Sequence, residues 1–477
     1  MPPRASLKTF LATARAALSA QPSKRTAPLT FVVGNESADL DSLCSALLLA
    51  YFHTYAPPQH GASVKDGYAG LSTLHIPICH LYRADLALRP EFTAVLRDAG
   101  IKGEDMFTLE DVLPPHQQET KTKTETKGGE GRGAHFIRPE DTRWLLVDHN
   151  AMTGALAKTF GTRVVGCVDH HADEGAIPRD AELRVIEKSG SCASLVLAQC
   201  RDVWAALSAE DRNGNGNGDG KGKVGEGGGE DAQIDAQIAR LALAPILIDT
   251  TNLGDRNKTT EYDERAVALV EAKIVAAEGP DDDASASASG GGVNKEQGKR
   301  YNRDALFAHL SALKEDLSEM SFRDVLRKDF KEWNVGGLNL ATSSVPRGFA
   351  YLMEEKARGD TGEFVEALRG WGEEKDEVEK MDVIMVLTAF QDAEGRFHRE
   401  LLVWARSQAG VHAAKVFEER YRDTLRLEAW GEGVLDEVDG DEQGEWRRCW
   451  EQKAVQYSRK QIAPMLRDAL KEVSAGG

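Results

Sequence analysis

The sequence predicts an α/β protein with a larger N-terminal part built on a parallel sheet and a smaller, mixed α/β C-terminal part. Three observations carry this. Residues 164–168 (VVGCV) form an almost wholly apolar, largely β-branched run that ends in Asp169-His170-His171, the composition of a strand buried on both faces of a parallel sheet. The same pattern, an apolar run followed by acid, recurs at 29–33 with Asp39 and Asp41 just beyond it, at 144–147 before Asp148, and at 242–248 before Asp249. Lastly, 477 residues exceed what one hydrophobic core usually fills, and residues 278–298 (EGPDDDASASASGGGVNKEQG) have the composition of a linker.

Taken in order, residues 7–18 carry the apolar spacing of a helix with a basic outer face. Residues 29–33 read as a strand, 43–52 as a buried helix, and the loop between them holds Asn35, Asp39 and Asp41. A further strand is expected at 76–81. Residues 119–134 (ETKTKTETKGGEGRGA) and 212–231 (RNGNGNGDGKGKVGEGGGED) are low-complexity and polar, so both are expected to be solvated insertions. Between them come the two acid-ended strands near 147 and 168. The small-residue loop 188–194 (KSGSCAS) leads into an apolar helix and reads as a helix cap or as a set of amides facing an anion. Residues 242–248 are expected to be a fourth acid-ended strand. The first domain is thus assigned to 1–277 and the second to 299–477. The second opens with helical patterns and continues with strands around 337–345, 383–390 and 400–405.

Composition sets limits. With 41% apolar and 29% charged residues the chain is ordinary globular protein, and no apolar run approaches the ~20 residues of a membrane span. A formal charge of −18 excludes broad nucleic-acid coating, so an anionic substrate must meet a local basic pocket or metal ions. Six scattered cysteines without a CxxC pair suit buried thiols in a reducing compartment. The cytoplasm is the expected location and a monomer the expected state. The first 35 residues hold five basic residues and no acid, a composition shared with mitochondrial transit peptides, which keeps the matrix as the second compartment.

Four acid-ended strands of one parallel sheet would bring their carboxylates to one edge, where they repel unless cations neutralise them. Carboxylates with one or two imidazoles suit Mg²⁺, Mn²⁺ or Co²⁺ better than a thiolate zinc site. Two such ions sharing one carboxylate would lower the pKa of a water between them and hold a phosphoryl oxygen for in-line attack. The expected chemistry is hydrolysis of a phosphoester or phosphoanhydride.

The motifs Gly34-Asn35-x-x-x-Asp39-x-Asp41-Ser42, Asp148-His149-Asn150, Asp169-His170-His171 and Asp249-Thr250, in this order, resemble those of the DHH phosphoesterase superfamily. Asp329-Phe330-Lys331 and Ser458-Arg459-Lys460 are similar to the phosphate-binding motifs of the C-terminal domain shared by family II inorganic pyrophosphatases and eukaryotic exopolyphosphatases. The resemblance implies an active site between the two domains. It implies one metal on Asp39 and Asp148 and a second on Asp41, Asp148, His170 and Asp249, with Asp148 as bridge and catalytic centre. Asn35 would touch substrate or water, and His171, Lys331, Ser458, Arg459 and Lys460 would bind phosphates, His171 also assisting catalysis. Asp169 would orient a histidine. The pyrophosphatases have His where this chain has Asn35, and prune-type proteins tend to have Arg where it has His171, so the pattern is most similar to that of the exopolyphosphatases, with inorganic polyphosphate as substrate. A prune-like nucleotide phosphodiesterase, a nuclease, a pyrophosphatase and a non-enzymatic scaffold stay open at this point.

Overall fold

The computed structural model describes residues 4–21, 25, 28–56, 74–113, 137–213, 227–278, 300–376, 380–437 and 444–476. The chain divides into two compact units, Met1–Leu313 and Lys314–Gly477.

In the first unit, β1 (Leu29–Val33), β2 (His75–Ile78), β3 (Thr142–Val147), β4 (Val164–Asp169) and β5 (Leu183–Ile186) form one sheet in the order β2-β1-β3-β4-β5, with every pair parallel. All five residues of β1 are buried, as are the last four of β3 and of β4. That follows from helices covering both faces of a parallel sheet, which leaves polar side chains no place except at the strand ends. The helices are α1 (Leu7–Ser19), α2 (Leu40–Tyr55), α3 (Pro90–Asp98), α4 (Gly154–Phe160), α5 (Cys192–Asn213), α6 (Gly227–Thr250), α7 (Glu261–Glu278) and α8 (Arg303–Glu315). Along α2, only His53 is not fully buried. Phe31 of β1 stacks on Trp144 of β3 with ring centroids 4.7 Å apart, which fixes the two central strands against each other. The order 2-1-3-4-5 reverses direction between β1 and β3, so the loops leaving these two strands part and leave a crevice at their carboxyl ends. Gly34 closes β1, and a Cβ there would lie 2.6 Å from Ser42 Cβ, so only glycine lets α2 come this near the strand.

Residues 242–248 are not a strand. They lie inside α6, a helix of 24 residues, and Asp249 sits in its last turn. A seven-residue apolar run is compatible with a buried helix as well as a buried strand, and here α6 packs into the core with Leu241, Leu243, Ile246 and Leu247 all at most 1% exposed. Likewise 212–213 and 227–231, expected in a solvated insertion, belong to α5 and α6; the rest of that stretch, 119–134 and the linker at 279–298 lie outside the described residues. Leu306, Phe307, Leu310 and Leu313 of α8 pack on the core of the first unit.

The second unit runs α9 (Phe322–Lys328), β6 (Phe330–Val335), β7 (Leu338–Val345), α10 (Phe349–Tyr351), α11 (Thr361–Asp376), β8 (Val383–Thr388), β9 (Phe390–Gln391), β10 (Phe397–His398), β11 (Glu400–Ala405), α12 (Gln408–Leu425), β12 (Leu427–Ala429), β13 (Trp446–Gln452) and α13 (Arg459–Gly476). Its main sheet has the order β12-β13-β11-β8-β7-β6; β7 and β8 are parallel and the other pairs antiparallel, the mixed sheet that the sequence predicts. Period-two alternation shares the strands between two cores. Ile384 and Val386 face Phe322, Phe364 and Trp371, whereas Val383, Met385 and Leu387 face Phe417, Ile462 and Leu466.

Candidate metal centre

The crevice at the ends of β1, β3 and β4 gathers the acids and histidines of the first unit. Asp148 follows β3 in a left-handed backbone conformation, φ 61°, and is 2% exposed. Its Oδ2 accepts from Asn35 Nδ2 at 2.7 Å and from Ser42 Oγ at 2.7 Å, and Asn35 Nδ2 also donates to the Asp148 carbonyl at 3.1 Å. The amide of Asn35 is set in turn by Ser37, whose N–H and hydroxyl donate to Asn35 Oδ1 at 2.9 and 2.6 Å. Oδ1 of Asp148 points the other way, 3.1 Å from His170 Nε2 and 3.6 Å from His171 Nδ1. Asp148, His170 and His171 each offer one ligand atom within 4.8 Å of the others.

The tautomer of His170 decides what this arrangement is for. Its Nδ1 is 3.1 Å from the Ser189 carbonyl, which can only accept, so Nδ1 carries the proton and the lone pair of the neutral ring is on Nε2. That lone pair faces Asp148 Oδ1 at 3.1 Å and Asp41 Oδ2 at 4.0 Å. Three electron-rich atoms turned on one another need a proton or a metal ion between them. His171 is turned through Asp169, whose Oδ1 lies 2.8 Å from His171 Nδ1 and also accepts the backbone N–H groups of His170 and His171. Oδ2 of Asp169 accepts from Asn150 Nδ2 at 2.6 Å. Burial raises the Asp169 pKa, but the hydrogen bond and charge of His171, with help from Asn150, outweigh it and hold the carboxyl below the usual range. Asp169 is an orienting group rather than a ligand-facing one.

Asp41 is held at the N-terminus of α5. Its Oδ1 accepts from Ser191 Oγ at 2.7 Å and Ala193 N at 2.9 Å, and its Oδ2 from Cys192 N at 2.6 Å. Burial pushes its pKa well above the usual range, and Asp148, Asp249 and Asp39 add to this against His170. Asp39 caps α2 through Ser42 N at 3.0 Å. Asp148, Asp249, His170 and Asp39 thus all act on the charge of Asp41, Asp249 from a helix end, while the ligand atoms that lie within 4.8 Å of one another are those of Asp148, His170 and His171. Burial also raises the thiol pKa of Cys192 well above its ordinary value, which suits carboxylate and imidazole ligation rather than thiolate. The donor set fits a hard divalent cation.

Other residues shape this centre too: Ser42 and Asn150 stand within the sequence motifs, whereas Arg89 and Asp263 carry no signal in the sequence. Ser42 and Asn150 hold carboxylates. Arg89, 2% exposed, donates to the carbonyls of Ser37 and Ala38 and so braces the loop before α2. Asp263 gathers the loop at 189–194. Each acts across a long sequence separation, and only the fold brings it in.

In the second unit, Lys331 lies half-buried on β6 opposite Thr342. Ser458 precedes α13 and pairs with Gln461, its N–H and hydroxyl both 2.8 Å from Gln461 Oε1. Arg459 Nη1 meets Asp329 at the carbonyl, 3.1 Å, and at Oδ1, 2.8 Å, and Lys460 is exposed. The strand β6 and the start of α13 are therefore neighbours through the residue that opens the Asp329-Phe330-Lys331 motif.

Comparison with known proteins agrees with both halves. Residues 30–218 match the model of the DHH family, N-terminal domain, and residues 308–469 match the model of the DHHA2 domain. The chain thus pairs a DHH-family N-terminal domain with a DHHA2 domain. Among curated relatives of this DHH protein, "Putative exopolyphosphatase" of Schizosaccharomyces pombe is 27% identical over 449 residues, 94% of this chain and 92% of the relative. "Exopolyphosphatase PRUNE1" of Homo sapiens is 22% identical over 467 residues, 97% of this chain and 79% of the relative. A solved structure, titled "Crystal structure of Methanococcus jannaschii putative family II inorganic pyrophosphatase", aligns over 93% of this chain and 99% of its own, at 18% identity with a TM-score of 0.44, too distant to add an argument. Asp249 and Asp263 both lie beyond the stretch matched by the DHH model.

Proposed function

We propose that this DHH protein is a metal-dependent exopolyphosphatase that releases terminal orthophosphate from inorganic polyphosphate, acting as a monomer in the cytoplasm. Metal dependence rests on one observation: the Nε2 lone pair of His170 and the carboxylates of Asp148 and Asp41 face one another at 3.1 and 4.0 Å. The substrate class rests on likeness to relatives named exopolyphosphatase over nearly the whole chain. Among the described residues no helix is long and apolar enough to cross a membrane.

When bound, two divalent cations, Mg²⁺ first and Mn²⁺ or Co²⁺ as substitutes, would neutralise the facing carboxylates and activate water for attack on phosphorus. Asp148 would be the ligand shared by both ions, since both its oxygens are oriented, one by Asn35 and Ser42, the other towards the histidines. Asp39 would complete one ion's ligands, and Asp41, His170 and Asp249 the other's. His171, held by Asp169, presents Nε2 to a phosphate oxygen, to which it donates a hydrogen bond when protonated. Lys331, Ser458, Arg459 and Lys460 bind phosphates of the chain, the guanidinium in a bidentate manner that lysine cannot match.

The test is orthophosphate release from long-chain polyphosphate, tripolyphosphate and pyrophosphate, and nucleoside monophosphate formation from cyclic nucleotides, each with Mg²⁺, Mn²⁺ and Co²⁺. Faster turnover of long chains than of the others, abolished by chelation, is expected. Preference for pyrophosphate or for cyclic nucleotides would replace the substrate assignment, and chelator-resistant turnover would end the metal reading.

A further inference from the structure

We infer that Asp263 is a positioning residue of the metal centre, setting two of its ligands at once. This rests on Asp41 and His170 being ligands, as proposed above. Asp263 lies in the first turn of α7, is fully buried, and is surrounded by donors. Its Oδ1 accepts from Ser189 Oγ at 3.0 Å, Ser191 N at 3.2 Å and Ser194 Oγ at 2.7 Å. Its Oδ2 accepts from Gly190 N at 2.9 Å, Thr260 N at 2.7 Å and Thr260 Oγ1 at 2.8 Å. Four of these six donors belong to the segment 189–194, three to the loop that leads into α5 and one, Ser194, to the first turn of that helix.

That segment touches the centre in two places. The Ser189 carbonyl fixes the His170 tautomer, and Ser191 Oγ, Cys192 N and Ala193 N grip the two oxygens of Asp41. One buried carboxylate therefore holds the segment that aims an imidazole lone pair and a ligand carboxylate at the same point. Gly190 shows how tightly the segment is seated: a Cβ there would lie 2.5 Å from Thr250 Cγ2 and 2.9 Å from Asp263 Oδ2, which ties it also to the residue after Asp249. The charge matters as well as the shape, because a carboxylate accepts from all six donors whereas an amide cannot. In Asp263→Asn the amide nitrogen would oppose the Ser191 N–H in one orientation and the Gly190 and Thr260 N–H groups in the other, since hydroxyls can turn to accept but a backbone N–H cannot.

The test is a Mn²⁺ titration of chelator-stripped full-length protein, free ion being followed by its electron paramagnetic resonance signal, alongside the melting temperature and far-ultraviolet circular dichroism of the metal-free forms. For Asp263→Asn the dissociation constant should rise ~tenfold or more, the size typical of losing a group that orients a metal ligand, measured well below the melting temperature. Ser189→Ala, which removes one donor and keeps the carboxylate, should give a smaller rise, and it carries the test if Asp263→Asn does not fold. A lowered melting temperature with an unchanged dissociation constant in the folded variant would make Asp263 structural only and overturn the inference. Wild-type protein that binds no Mn²⁺ would overturn the metal reading and this inference with it.

Discussion

The two units hold their candidate functional residues in opposite ways. In the first, Asp41 and Asp148 are 3% and 2% exposed, and nearly every oxygen they carry has a named donor or a histidine before it. In the second, Lys331, Ser458 and Arg459 are half-buried and Lys460 is exposed, with Arg459 leaning on Asp329 and Ser458 on Gln461. The contrast follows from what each set is proposed to grip. An ion of fixed radius needs ligands placed to a few tenths of an ångström, which only a braced, dehydrated pocket supplies. A long, mobile polyanion is better met by solvated cations on long stems that adjust to successive phosphates.

If this is right, substitutions in the first unit should act on metal affinity and in the second on substrate affinity. The largest effect should come from Asp148→Asn, with turnover falling by at least about a thousandfold, as when one member of a concerted site is removed. Its metal-free form should melt no lower than wild type, because the amide can donate to His170 Nε2 while its oxygen keeps Asn35 and Ser42, and one of the repelling carboxylates is gone. Near-normal activity at saturating metal would break the comparison on the first side. Next is metal removal itself: returning Mn²⁺ to stripped protein at about 100 times its dissociation constant should raise stability by about 2.7 kcal/mol, read as an increase in melting temperature.

Arg459→Ala should lower kcat/KM for polyphosphate by roughly 10- to 100-fold, the worth of a charge-assisted phosphate contact, with Mn²⁺ affinity unchanged. Loss of both would mean that the two units do not divide the work as proposed. A subtler change is expected from Asn35→His. An added imidazole beside Asp148 should move the ratio of activities from Mg²⁺ towards Mn²⁺ or Co²⁺, since nitrogen donors favour the softer ions; an unaltered ratio would confine Asn35 to bracing Asp148. The smallest effect belongs to residues 214–226. Replacing them with a short Gly-Ser link should leave melting temperature and turnover almost as they were, and loss of polyphosphate hydrolysis would reveal a role that their composition hides.

The sheet and most of the centre were legible because both are written locally. An apolar β-branched run stopped by Asp or by Asp-His-His states strand and site in fewer than ten letters, and β1, β3 and β4 lie where such runs occur. Asp249 ends a helix and not the expected strand, since seven apolar residues do not distinguish a strand from the buried end of α6. The strand β5, Leu-Arg-Val-Ile with three half-buried residues, was not read because a sheet edge lacks the continuous apolar run that marks an interior strand. Asp263 and Arg89 carry no local signal, and the loop around Ser191 is legible as a helix cap or as amides facing an anion but not as the partner of Asp41. Their partners lie tens of residues away or more, 150 in the case of Ser191 and Asp41, and nothing at short range distinguishes Asp263 and Arg89 from solvated polar residues.

The backbone of Asp148 bears on how this position can vary. Its φ of 61° lies in a region that costs ordinary L-residues about 1–2 kcal/mol and that Asn, Asp and Gly tolerate best, while its N–H still donates to the Val168 carbonyl at 3.0 Å and keeps β3 and β4 in register. Main chain and side chain are thus filtered separately. Glu keeps the charge but not the backbone ease, Asn keeps the ease but not the charge, and Gly keeps only the ease. In a saturation library scored once for folding and once for turnover, position 148 should therefore give two different ranked lists, with Asn and Gly near the top of the first and aspartate alone at the head of the second.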